Sequence, residues 1–259
     1  MDLLFYICAG AGVGLAIGLT GVGGGSLMTP LLIFAGVPHH IAIGTDLLYA
    51  SITKTGGVIA HARRRNISWR LVGLLATGSI PGAVATSYFL GTIFEEHDYR
   101  PVLTVALGFM LILTALVLLF KHRLQTAPAR EIAVPKWYHR HNAVVTVIVG
   151  LALGILVTLS SVGAGAFGAA LLLILYPRLT ALRVVGTDIA HAVPLTLVAG
   201  LGHLFLLNNV DFELLAGLLV GSLPAVHYGT KLATRIPNGV LQPILALLLL
   251  GIGVKFAFW

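Results

Sequence analysis

From Leu3 to Pro38 the chain carries no Asp, Glu, Lys, Arg or His, and from Ala143 to Tyr176 it again carries none. A helix that crosses the hydrocarbon core of a bilayer uses about 20 apolar residues. Each stretch is too long for one span and short for two. A glycine cluster lies near the middle of each, at Gly23–Gly25 and at Gly163–Gly165. Both stretches therefore read as two helical arms joined at glycines, either as a re-entrant hairpin or as two short spans.

The rest of the 259-residue chain agrees with lipid as its solvent. Hydrophobic residues make up 58% and charged residues only 10%, whereas a soluble domain carries about a quarter charged residues on its surface. The formal net charge of +7 does not point to nucleic acid, because the basic residues sit in short loops between apolar runs. Cys8 is the single cysteine, which excludes an intrachain disulfide and a thiolate metal site. The start, Met1-Asp2-Leu3, lacks the basic region of a cleavable signal peptide, so the first apolar run is expected to belong to the mature protein.

The two uncharged stretches belong to a longer duplication. Gly10, Gly14, Val22, Gly23 and Gly25 match Gly150, Gly154, Val162, Gly163 and Gly165 at an offset of 140. Gly44-Thr45-Asp46, His61 and Asn66 match Gly186-Thr187-Asp188, His203 and Asn208 at 142. Gly78-Ser79-Ile80-Pro81 matches Gly221-Ser222-Leu223-Pro224 at 143. A slowly drifting offset is the mark of a repeated unit with small loop insertions. The predicted fold is an all-α polytopic membrane protein of two repeats. Repeat 1 covers residues 1–120, with segments near 3–19, 26–37, 44–60, 71–92 and 101–120. A basic linker covers 121–142. Repeat 2 covers 143–259, with segments near 143–159, 164–176, 186–203, 212–230 and 237–256.

Five segments per repeat is odd, so the second repeat is expected to be inverted relative to the first. With loops 61–70, 121–142, 177–183 and 231–236 in the cytoplasm, thirteen of the sixteen Lys and Arg fall on that side. Six of the nine acids fall outside, with both termini. This follows the positive-inside rule. Inverted repeats with interrupted helices are an architecture of secondary transporters, whose site lies near the midplane.

Several residues in this frame carry candidate chemistry. Gly23, Gly24, Gly25 and Ser26, with Ser160, Ser161, Gly163 and Gly165, are predicted to line a substrate site. Glycines there let backbone approach a ligand, and helix N-termini favour anions; close helix packing is the competing reading, and the preferred one for Gly10 and Gly14. Lys54, inside an apolar segment, is a candidate anion partner, with snorkelling to the interface as the alternative. His191, with Asp188 one turn earlier, suits proton coupling, although a hydrogen-bonded core histidine would look the same. Asp46 and Asp188 follow Thr45 and Thr187, and a capping role in a first helical turn would account for both pairs. The same placement suits coupling to a proton or sodium ion. His61 and His203 are expected at the interface. The sequence shows no GxSxG elbow, no HExxH and no Cys/His metal spacing, and no cofactor is expected.

The chain resembles the sulfite exporter TauE/SafE family of bacterial membrane permeases. The resemblance rests on TGVGGGSLMTPLL, on AIGTDLLYASITKTGGVIAHARRRNISWRLV and on VVGTDIAHAVPLTLVAGLGHLFLLNNVDFELLAG. It implies a permease of the bacterial inner membrane for sulfite or organosulfonates such as sulfoacetate, and in some members other small organic acids. In the second glycine cluster Ser160-Ser161 and Ala164 replace Thr20-Gly21 and Gly24, so the two clusters are expected to act unequally. The expected partners are a small anion and the bilayer, with a homodimer left open. The expected mechanism is secondary transport driven by an ion gradient. The alternatives are a carboxylate transporter and a membrane-embedded enzyme using His191 and Asp188.

Overall fold

The computed structural model describes residues 3–20, 25–93, 99–126, 136–233 and 238–258. Their regular elements are ten helices: α1 Leu3–Thr20, α2 Gly25–Phe34, α3 His39–Arg63, α4 Trp69–Ile93, α5 Arg100–Thr126, α6 Lys136–Ser160, α7 Ala166–Leu175, α8 Ala181–Phe205, α9 Phe212–Ala233 and α10 Asn238–Phe258. Five stretches are long and apolar enough to cross a membrane, at Trp69–Thr92, Arg100–Phe120, His141–Ser160, Ala181–Phe205 and Phe212–Gly229. α2 and α7 have ten residues each. At 1.5 Å per residue each reaches about 15 Å, half the hydrocarbon core.

Buried polar side chains share the interior with an apolar core, and many large apolar side chains face outward. Asp46, Asp188, His191, His203, Thr45 and Thr187 are buried, while Phe89, Phe109, Ile148, Ile155, Val220 and Leu247 are exposed. Water would penalise that distribution. In lipid the outward apolar side chains cost nothing, and ionisable groups turn to the bundle interior.

Helix packing follows the small residues. A Cβ on Gly10 or Gly14 of α1 would run into the backbone of Leu218 or Ser222 on α9. A Cβ on Gly150 or Gly154 of α6 would meet Leu75 or Ser79 on α4. Both pairs are parallel and share backbone-to-backbone contact, the device that holds helices together where no hydrophobic effect operates between them. The packing reading of Gly10 and Gly14 is therefore the right one. α5 and α10 run antiparallel, with Gly108 against Ala257 and Gly253 against Ile112. α3 and α8 cross at the centre, also antiparallel, with Leu48 on Gly200 and Gly57 on Ile189.

Thr45 and Thr187 are not helix caps. α3 begins at His39 after Pro38, and α8 begins at Ala181 with Thr180 as its N-cap. Each threonine lies a turn or more inside its helix and grips a loop of the other half. Thr45 Oγ1 accepts the N–H of Asp211 at 3.1 Å, and Thr187 Oγ1 accepts that of Ser68 at 3.0 Å. Beside them Gly44 abuts the carbonyl of Asn209 and Gly186 that of Asn66. The loop residue equivalent to Asn66 is thus Asn209, one position beyond the Asn208 that a constant offset selects. The shared Gly-Thr-Asp spells a lock, with glycine and threonine on the loop and aspartate turned to the centre.

Candidate functional site

The break between α6 and α7 faces the crossing of α3 and α8. Ser160 ends α6. Its hydroxyl donates to the Leu156 carbonyl at 2.6 Å and accepts the N–H of Val162 at 3.2 Å. The Ser160 side chain therefore closes the helix end. Ser161 follows with φ of 58°, unusual for a residue with a Cβ. Gly163, at φ of 120°, turns the chain again, and its carbonyl accepts the Gly168 N–H at 2.8 Å as α7 starts.

This bent segment carries Ser161 to Asp46. Ser161 Oγ donates to Asp46 Oδ2 at 2.9 Å, and Thr29 Oγ1 of α2 donates to the same oxygen. Asp46 is fully buried, and its Oδ1 has no hydrogen-bond partner. Lys54, two turns further along α3, donates from Nζ to the carbonyl of Ala164 at 2.6 Å. The residue is half-buried. Asp188 and, more weakly, Asp46 lie within its electrostatic reach. Lys54 is thus directed into the break, and its ammonium does not snorkel.

Asp188 comes from the other side of the crossing. Its Oδ1 rests against Gly168, where a Cβ would collide with it. Gly168 is the third residue of α7, so this carboxylate packs against the side of the helix's first turn. His191 does not form a dyad with Asp188. Its Nε2 pairs with Ser79 Oγ at 2.8 Å, and its Nδ1 is buried without a partner. Tyr49, its counterpart in the first half, lies beside Ser222, the counterpart of Ser79. His203 is not interfacial either. It is fully buried, with Nε2 at 2.9 Å from the Thr158 carbonyl and Nδ1 at 3.5 Å from Asn209 Nδ2. Gly165 precedes α7 as its N-cap.

Of the residues singled out in the sequence, Asp46, Lys54, Ser161, Gly163, Gly165 and Asp188 converge around this break. His191 lies one turn away on the α4 side of α8. Gly23 and Gly24 fall outside the described residues. Gly25 and Ser26 open α2. Thr29, Ser79, Gly168 and the Ala164 carbonyl were not anticipated. Thr29 and Ser79 do sit in segments that the resemblance and the duplication had marked.

Among the described residues, ten helices enclose charged groups, with the break between α6 and α7 beside them. The profile of the family described as sulfite exporter TauE/SafE matches residues 6–256. The chain belongs to the TauE/SafE family. It is 38% identical over 253 residues to the probable membrane transporter protein YjnA of Bacillus subtilis (strain 168), covering 96% of this chain and 97% of that one. It is 29% identical to the probable membrane transporter protein YdhB of the same organism, covering 89% and 90%. An archaeal relative, the probable membrane transporter protein MJ0441 of Methanocaldococcus jannaschii, is 26% identical, covering 90% and 86%. No solved structure matches the chain. This TauE/SafE chain is a multi-pass membrane transporter, and the Lys54–Ala164 contact lies inside the matched region.

Proposed function

We propose that the protein is a secondary transporter that carries sulfite or an organosulfonate across the bacterial inner membrane, with both termini outside. The observation that carries this reading is Lys54 Nζ on the Ala164 carbonyl, 2.6 Å apart, at the head of α7. A primary ammonium and the N-terminus of a half-length helix converge in the membrane interior. Both favour a small compact anion, and the ammonium supplies charge without imposing the planar geometry that an arginine would. The Asp46, Asp188 and His191 side chains supply groups for coupling to an ion gradient.

Alternating access between two oppositely oriented repeats is supported by the exchanged contacts. Gly44 meets Asn209 as Gly186 meets Asn66, and Gly10 meets Leu218 as Gly150 meets Leu75. The equivalent helices α3 and α8, and α5 and α10, run antiparallel, as inversion requires. Rocking one half against the other would move Ser161 relative to Asp46 and expose the break first to one side and then to the other.

An enzymatic reading has less support. His191 spends Nε2 on Ser79 and leaves Asp188 a turn away, so no acid–base pair is in place. Counterflow in proteoliposomes decides between the readings. Protein preloaded with unlabelled sulfite should concentrate labelled sulfite or a labelled sulfonate transiently, and carboxylates of similar size should compete poorly. Strong competition by carboxylates would change the substrate class. Absence of counterflow for every anion tested would end the transport reading.

A further inference from the structure

We infer that Asp188 occupies the anion site while the site is empty, and that each bound anion enters with one proton, which neutralises Asp188 and releases Lys54 and the first turn of α7. The inference rests on the proposal that the chain carries a small anion, and it names the coupling ion and the group that bears it.

Three placements support it. The Asp188 carboxylate lies against Gly168 in the first turn of α7, beside the helix end that would hold a ligand anion. Glycine at 168 allows that approach, since any Cβ there would displace the carboxylate. Lys54 lies within electrostatic reach of Asp188 from α3. The internal carboxylate therefore lies beside the first turn of α7 and within the electrostatic reach of Lys54, the two features an incoming anion would use.

Two negative groups cannot share one ammonium in a buried site without a large electrostatic cost. The anion must either be excluded or find Asp188 neutral. The proton comes from water on the side the anion enters from and ends on a carboxylate oxygen of Asp188. The anion's charge and the proton's charge cancel, so no net charge crosses the membrane. On the far side the order reverses: the anion leaves, the proton follows, and Asp188 returns to Lys54. With neither anion nor Asp188 charge, Lys54 would keep only the Ala164 carbonyl and the weaker pull of Asp46, which disfavours that route for the empty carrier.

The other titratable groups facing this set are few. α3 brings Asp46, which Thr29 and Ser161 hold on its far side, and Tyr49. α8 brings His191, turned to Ser79, and His203 beyond it. His61 lies beside Gly186, two residues before Asp188 on α8. α7, and α6 from Asn142 to Ser160, carry no titratable side chain. The acid or base groups of α4, Arg70 and Tyr88, are exposed.

The test uses purified full-length protein in proteoliposomes, with methanesulfonate as the probe because its charge does not change with pH, and labelled sulfite beside it. Proton uptake is followed with an entrapped pH dye and anion uptake with the label. The expected ratio is about one proton per methanesulfonate, with no dependence on an imposed membrane potential. Apparent affinity should fall about tenfold per pH unit where Asp188 is ionised at rest. In Asp188→Asn the ratio should drop to near zero, affinity should lose its pH dependence, and the carrier should exchange anion for anion without net uptake. Net uptake of methanesulfonate by the wild type without proton uptake would overturn this inference and leave the transport proposal standing. Absence of counterflow would overturn both.

Discussion

Ser161 and Asp46 lie 115 positions apart in the chain and meet at 2.9 Å in the membrane interior. The contact joins the break in one half to the central helix of the other. A hydroxyl on a residue held at positive φ is an unusual donor, and its position depends on the whole turn from Ser160 to Gly163.

Removing either hydroxyl from Asp46 should therefore weaken transport before it weakens the fold. A hydrogen bond to a charged group is worth roughly 1.5–3 kcal/mol. Ser161→Ala and Thr29→Val should each reduce the initial uptake rate about tenfold or more, at normal membrane levels. Uptake at wild-type rate in both would show that Asp46 needs neither donor.

Lys54→Met keeps most of the apolar stem and loses the charge. Binding of sulfite or methanesulfonate should weaken by about ten- to a hundredfold, the equivalent of roughly 1.5–3 kcal/mol. Lys54→Arg should recover only part of it, because the guanidinium is larger and planar. Calorimetric titration of the purified variants measures this. Unchanged affinity in Lys54→Met would leave the α7 terminus as the anion-binding device.

Gly168→Ala puts a methyl group where Asp188 Oδ1 now lies. The smallest possible side chain should then impair uptake severely. Shortening the opposing residue in Gly168→Ala/Asp188→Ser should relieve the crowding and restore thermal stability, but not proton-linked uptake. A fully active Gly168→Ala would mean that the carboxylate does not need this place.

Gly44 and Gly186 should behave as a matched pair. A Cβ on either meets the carbonyl of an asparagine in the opposite loop, and forcing extra volume into a packed contact costs about 1–3 kcal/mol. Gly44→Ala and Gly186→Ala should lower the melting temperature in detergent by similar amounts, whereas Gly56→Ala, which faces open space, should not. A large difference between the matched two would argue against equivalent roles in the two halves.

Topology can be read with thiol reagents once Cys8, which is exposed, is replaced by serine. Cysteine at Arg64 should react only from the cytoplasm, and cysteine at Leu206 only from outside. Both positions are exposed. Reaction of both from one side would contradict oppositely oriented halves.

The number and order of helices were legible in the sequence because each run of uncharged residues is a thermodynamic demand for lipid. Helix starts were less legible. The segments expected at 44–60 and 186–203 begin instead at His39 and Ala181. Helical hydrogen bonding does not stop at the edge of the hydrocarbon, so polar residues such as His39, His40 and Arg183 extend the same helices. That extension is why Thr45 and Thr187 resembled caps. At the site, Lys54, Asp46 and Asp188 stood out because a charge in an apolar run is rare. The Ala164 carbonyl carries no such signal, since every residue has one. Gly168 was hidden among other small residues of α7, and only the Asp188 carboxylate facing it gives the position meaning.

The parallel contact of α1 with α9 also has a consequence for how the molecule is made. Gly10 and Leu218 are about two hundred residues apart, and ribosomes add about 5–20 residues per second. For roughly 10–40 seconds the first helix must wait in the bilayer with its glycine face bare. During that interval another small-residue helix could settle there, so the final pairing depends on a contact loose enough to be exchanged. Early truncations should therefore be more vulnerable to membrane proteases than their hydrophobicity alone suggests, and protection should return only when the ninth helix has emerged.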